Sequence, residues 1–262
     1  MQRNRLIAWW IFWLALPLNT YAKPIGLPGV PGAKVTTADW SYQGERGPQN
    51  WGNLSPAYAL CQSGSSQSPV DLMPEHASRL APLRFHYRTD SLNIGNDGLS
   101  MRMAYARGSY LQVENRQFEL KELVFRTPGE HTIEGRQMDM EVQLLHRSSA
   151  GVTAILAIPV SAGVRRNAML QRIWDYLPTG RGTGRYYRYI GVNPVFFLPA
   201  DRSYFRYTGS LTEPPCTERI TWFVMQKPVE VSVHLIDRIR QIMGHNNRPV
   251  QATNGRSILT SR

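Results

Sequence analysis

This 262-residue chain has few of the residues that most chemistry needs. It carries only six histidines: His76, His86, His131, His146, His234 and His245. None has a second histidine at i+2, i+3 or i+4, so no strand or helix face presents a ready pair of imidazoles to a metal. No Ser–His–Asp order is visible, and Ser203 and Ser210 have no evident base, which argues against a hydrolase of that type. No run of Lys or Arg exceeds two and no aromatic–basic stripe recurs, so the sequence does not favour nucleic acid as a partner. No apolar run reaches the roughly 20 residues that a transmembrane helix needs. There is no fixed-period repeat and no stretch long enough for a coiled coil. With two cysteines, Cys61 and Cys216, the chain is not a disulfide-dense miniature scaffold.

What is present points to strands. Twelve Tyr, eight Phe and seven Trp accompany 21 Gly and 18 Pro, and 42% of the residues are apolar, enough for one sizeable core. Residues 1–22 read as a signal peptide: Arg3 and Arg5, then the apolar run Leu6 to Leu18, then Thr20-Tyr21-Ala22 as a small-residue cleavage site. An uncleaved anchor is the alternative. Residues 23–38, with Pro24, Pro28 and Pro31, read as a Pro/Gly-rich linker, and 39–262 as a single domain. Removing the leader lowers the formal charge from +11 to +9, because it carries two arginines and no acid. That balance suits an anionic envelope component, with a merely solvated basic surface as the plain alternative. A protein partner is equally open. In an exported, periplasmic or secreted chain the even cysteine pair suggests a disulfide, with two buried thiols as the alternative.

Along the domain, Trp40, Tyr42, Trp51 and Tyr58 lie in an irregular segment expected to pack on the fold. Short strands are expected at LRFHYR, LSMRMAY and SYLQVEN from Leu83 onward. Two longer ones, Phe118 to Thr127 and Met138 to Arg147, flank a turn-rich middle. Side chains alternate along a strand, so Glu122, Val124 and Arg126 share one face, as do Glu141, Gln143 and Leu145. If the two runs pair, these six meet on one surface. Val152 to Val160, Val195 to Leu198 and Ile220 to Val224 read as buried strands. Gly180 to Gly184 reads as a flexible loop. Asn167 to Leu177 and Ser232 to Met243 read as amphipathic helices, with Ser232 a plausible N-cap. The fold class is mainly β.

In combination, WSYQGERGPQNW, QSPVDL, TPGEHTIEG, MEVQLLH, YTGSLTEPPCTERITWFVM and NNRPVQ resemble the α-class carbonic anhydrases, from Trp40 to Ile258. The resemblance implies a large, mostly antiparallel twisted sheet with peripheral helices, and a disulfide between Cys61 and Cys216. It also implies zinc held by three histidines, whose bound water becomes the hydroxide that attacks carbon dioxide; this enzyme is a standard example of that chemistry. The family's His-Phe-His falls here on Val124, Phe125 and Arg126, and the third ligand position on Gln143. None of the three is a histidine. The proton-shuttling histidine would fall at Leu99. Thr212, Glu130 and Glu141 match residues that orient the metal-bound hydroxide and the third ligand, though each can equally satisfy a buried hydrogen-bond network. Leu145 and Leu211 match cavity walls. Glu213 replaces a small polar residue, and His131 and His146 match structural histidines.

These substitutions lead to an expectation of no zinc and no cofactor, with the protein acting as a binding or structural module. The alternative is an active carbonate dehydratase with a rebuilt metal site, or a weak esterase in the same cavity. Arg126 is expected to pair with Glu122 or Glu141, with Gln143 close by. Otherwise it would reach the cavity mouth and bind a small anion such as bicarbonate.

Overall fold

A computed structural model describes residues 39–74, 76–164 and 167–261. The leader and the linker lie outside the described residues. Eight strands form the continuous centre of one large sheet. In chain order they are β1 (Asp90–Asn96), β2 (Met101–Ala104), β3 (Arg116–Arg126), β4 (Met140–Arg147), β5 (Thr153–Ala162), β6 (Thr183–Val192), β7 (Tyr204–Ser210) and β8 (Glu218–Met225). Across the sheet they run β6-β1-β2-β3-β4-β5-β8-β7, continued by the short strands Leu259–Ser261 and His76–Ser78. All neighbouring pairs among the eight are antiparallel except β5 with β8, so the sheet is mixed but mostly antiparallel, as expected.

Each face of the sheet is buried by a different device. On one face Leu123, Phe125, Val142 and Leu144 meet Leu170, Ile173 and Trp174 of the helix Ala168–Trp174 and Leu235, Ile236 and Ile239 of the helix Val233–Met243. Period-two alternation on the strands and the i, i+3, i+4 spacing on the helices make that contact continuous. The opposite face carries a smaller apolar group that includes Ile155, Ala157, Leu211, Trp222 and Val224, with the candidate site beside it. The aromatic N-terminal segment packs as expected: Trp40, Trp51 and Tyr58 cluster with the Cys61–Cys216 disulfide.

Four local readings are corrected. Val195 to Leu198 is not a strand; Pro194–Phe197 is a 3₁₀ turn, because Pro194 begins it and the Asn193 side chain accepts the Val195 N–H. A short apolar run cannot by itself distinguish the two. The first helix ends at Trp174 rather than Leu177. Ser232 stands at the N-cap position of the second but makes no side-chain cap bond. The segment read as a loop, Gly180 to Gly184, ends inside β6, an edge strand that sequence reasoning did not assign.

Candidate functional site

The site is built by register. β3 and β4 pair antiparallel, with Arg126 opposite Glu141, Val124 opposite Gln143 and Glu122 opposite Leu145. The six side chains therefore share one face. β2 adds Arg102, directly opposite Val124 on the other flank of β3. Arg102 lies between Met101 and Met103, whose side chains enter the opposite core, so alternation directs it onto the site face.

Arg126 is 2% exposed and sits inside a dense set of partners. Its Nη1 donates to Ser100 Oγ at 2.7 Å and to the Tyr42 hydroxyl. Its Nη2 donates to Glu213 Oε2 at 2.9 Å, and its Nε lies 3.6 Å from Glu130 Oε2. The expected partners are thus corrected. Glu122 lies beside Arg102, 3.3 Å from its Nη1. Glu141 accepts the backbone N–H of His131 and a bond from Gln143. Arg126 lies two residues beyond Val124 along β3, which carries it past Glu122 toward the loop bearing Glu213. Nor does Arg126 reach the surface: it is buried with both terminal nitrogens engaged, and although its Nε makes no hydrogen bond, no open fork faces solvent for a bicarbonate.

Arg102 ties the cluster to the outside, bonding Asp97 at 2.7 Å as well as Glu122 and Glu213. Glu213 therefore bridges two guanidiniums. Burial alone would push its carboxyl up, but Arg102 and Arg126 together hold it down at about 2. Glu122 and Glu130 behave oppositely. Burial raises both carboxyls above the usual range despite Arg102 beside the first and Arg126 beside the second. Thr212 is buried and its hydroxyl offsets part of the Glu130 shift. Glu130 Oε1 accepts the Arg248 backbone N–H, and its Oε2 accepts from Gln143 at 2.6 Å. Glu141 is also buried, yet His131 and the Gln143 bond hold its carboxyl below the usual value.

The two histidines expected to be structural have such partners. His131 contacts Glu141 through Nδ1 and the Tyr207 hydroxyl through Nε2 at 2.7 Å. His146 Nε2 meets the Tyr87 hydroxyl at 2.8 Å, and burial pulls its ring down to about 3. Leu99 packs beside the aromatic N-terminal cluster.

Sequence reasoning missed Glu213, Glu130, Ser100 and Tyr42 as partners of Arg126, and Arg102 as the second cation on Glu213. Two signals were available. An arginine alternating with two methionines in a strand faces away from their core, and Glu213 departs from the residue its motif calls for.

These side chains do not suit a zinc ion. Val124 offers no lone pair, and Arg126 is a cation with donors only. The Gln143 amide N–H is spent on Glu130 and Glu141. Among the described residues no group of three or more His, Cys, Asp or Glu side chains is arranged to hold a metal.

The sheet order, the paired strands β3 and β4 and the QSPVDL and GSLTEPPC segments define a class. The chain belongs to the α-class carbonic anhydrases, matching the eukaryotic-type carbonic anhydrase family model over residues 46–262. Within it, the chain is 39% identical over 232 residues to a carbonic anhydrase of Nostoc sp., covering 87% of this chain and 88% of that one. It superposes on the α-carbonic anhydrase of Thermovibrio ammonificans, solved with the inhibitor sulfanilamide, with a TM-score of 0.82 and 35% identity, over 85% of this chain and 99% of that one. A dioscorin complexed with ascorbate is also similar, with a TM-score of 0.78 and 31% identity, over 85% and 97%.

Proposed function

We propose that this protein is an exported carbonic anhydrase relative that holds no zinc and does not hydrate carbon dioxide, and that it acts as a binding or structural module. One observation carries the reading. At the position where the family would place a ligand histidine, a buried guanidinium is held by Glu213, Glu130, Ser100 and Tyr42. A fixed positive charge there repels a divalent cation, and its partners hold it in place. Export is supported by the leader-like residues 1–22 and by the Cys61–Cys216 disulfide, since such bonds persist in oxidising compartments. On this reading the family's hydroxide-forming chemistry has no donor set in this chain.

The test is zinc content of the purified protein, measured by mass spectrometry, alongside stopped-flow hydration of carbon dioxide. The expected result is zinc far below one per chain and a rate equal to buffer. Stoichiometric zinc with hydration activity overturns the proposal.

A further inference from the structure

The edge of the sheet carries a feature unrelated to the Arg126 cluster. Among the described residues β6 is the terminal strand, bonded to β1 on one side and to no strand on the other. It contains the run Arg185-Tyr186-Tyr187-Arg188-Tyr189. Tyr187 turns inward onto the core, but Tyr186 is 63% exposed and Tyr189 is 89% exposed. Arg181, Arg185 and Arg188 are exposed too. Arg188 lies over the Tyr189 ring, 5.7 Å from its centroid. Not one Asp or Glu occurs between Asp175 and Asp201, and among the described residues no carboxylate pairs with these three arginines. Asp90, on the neighbouring strand, is turned to the backbone N–H groups of Ser91 and Ala106.

A protective role accounts for part of this pattern. Edge strands are commonly blunted by charge and by bulges, and the register here shifts between Tyr187 and Gly191. That explains the arginines and the bulge. It does not explain two nearly bare tyrosines, which add apolar surface where protection would remove it. Tyrosine and arginine are enriched among the residues that anchor interfaces: tyrosine supplies a large contact face at low conformational cost, and arginine a planar charged fork.

We infer that the β6 edge, through Arg185, Tyr186, Arg188 and Tyr189, binds an anionic polysaccharide whose charge is carried by carboxylates. The guanidinium fork matches a carboxylate bidentately. The phenol rings offer a flat apolar face to the C–H face of a sugar ring, with a hydroxyl at the rim for its polar groups. The arginine-rich, acid-free segment supplies the charge complementarity. An acidic peptide added as a further strand is disfavoured, since the bulge interrupts the ladder it would join. Two copies of this chain, each bringing three unpaired arginines to the seam, repel one another. The disulfide favours an oxidising compartment outside the cytosol, where nucleic acid is not the expected partner. The site lies three strands from β3, so the inference stands whether or not the protein holds zinc.

The experiment measures binding of alginate oligomers to the purified protein, with neutral dextran and single-stranded DNA as comparison ligands and size-exclusion chromatography run in parallel. Four variants are compared: Arg185→Ser with Arg188→Ser, Arg185→Lys with Arg188→Lys, Tyr186→Ser with Tyr189→Ser, and, elsewhere on the surface, Arg116→Ser with Arg136→Ser. All six positions are exposed, and circular dichroism checks the fold. The expected result is alginate binding that weakens at least tenfold in the first variant and severalfold in the lysine and tyrosine variants. The distant pair, which removes the same charge, stays within twofold. Equal losses in the distant pair would reduce the effect to net charge and overturn the inference. So would tighter binding of DNA than alginate, or variants that alter only the oligomeric state.

Discussion

Arg126→Ala removes the centre of the buried cluster, and the structure sets how much stability goes with it. Breaking a buried ion pair by deleting one partner costs about 3–5 kcal/mol, because the other charge stays buried without compensation. Here two carboxylates lose Arg126, but neither is left bare. Glu213 keeps Arg102, and Glu130 keeps the Gln143 amide and the Arg248 backbone N–H. The loss should therefore sit at the lower end, about 3 kcal/mol. In a domain of this size a kcal/mol moves Tm by about 2–4 °C, so the midpoint should fall by roughly 6–12 °C. Urea unfolding at pH 7 with the disulfide intact gives the energy, and calorimetry gives the midpoint. A cycle with Glu213→Gln separates the pair from the rest, with an expected coupling of about 0.5–3 kcal/mol. Arg126→Ala within about 0.5 kcal/mol of the parent would refute the reasoning, since that is the range of an unremarkable surface change.

Three more expectations follow from the same geometry. The Glu213 carboxyl is depressed from 4.5 to about 2, so its contribution is fully present above about 4.5 and is lost as pH falls toward 2. Linkage puts that at roughly 3 kcal/mol, partly offset by Glu122 and Glu130, whose raised carboxyls are relieved by protonation. Glu213→Gln should flatten the acid limb of the stability curve between those limits, and parallel curves would count against it. Reduction of the Cys61–Cys216 bond, which closes a loop across 155 residues, should cost about 2–5 kcal/mol in urea unfolding. The triple change Val124→His, Arg126→His, Gln143→His should take up zinc detectable by mass spectrometry, because Glu141 already holds the side chain at 143. A folded triple variant without zinc would mean that Arg102 and Glu213 close the space by themselves.

Much of the site was legible because it depends on alternation and on local motifs. Period two on β3 put Glu122, Val124 and Arg126 on one face, and the flanking TPGEHT and MEVQLLH segments fixed which residue of β4 stood opposite. The ion-pair partners were less legible for a physical reason. Sequence proximity favours Glu122 at four residues and Glu141 across the ladder, but a guanidinium side chain is long and reaches past its immediate neighbours. Its nearest carboxylate, Glu213, is 87 residues away on a loop. Tyr42 comes from 84 residues in the other direction. Nothing in a period reveals contacts of that kind; only the folded sheet and the docked aromatic segment create them. β6 was missed because its bulge breaks the alternation and because glycines at its start look like a loop.

Arg126 could not have arrived alone. A lone arginine at 2% exposure on this face would face Glu130, whose carboxyl burial already pushes toward the neutral form. One raised carboxyl is a poor counter-ion for a buried guanidinium. Glu213 supplies the second, and it stays ionised because Arg102 stands on its other side. Arg102 in turn would be a second unpaired cation without Asp97 and Glu122. The charges at 102, 122, 126 and 213 are therefore one physical unit, in which each charge makes the next tolerable. Such a unit gives little net stability compared with an apolar filling of the same volume. On the proposed reading its effect is exclusion: a fixed positive charge, held by opposing carboxylates, repels a divalent cation.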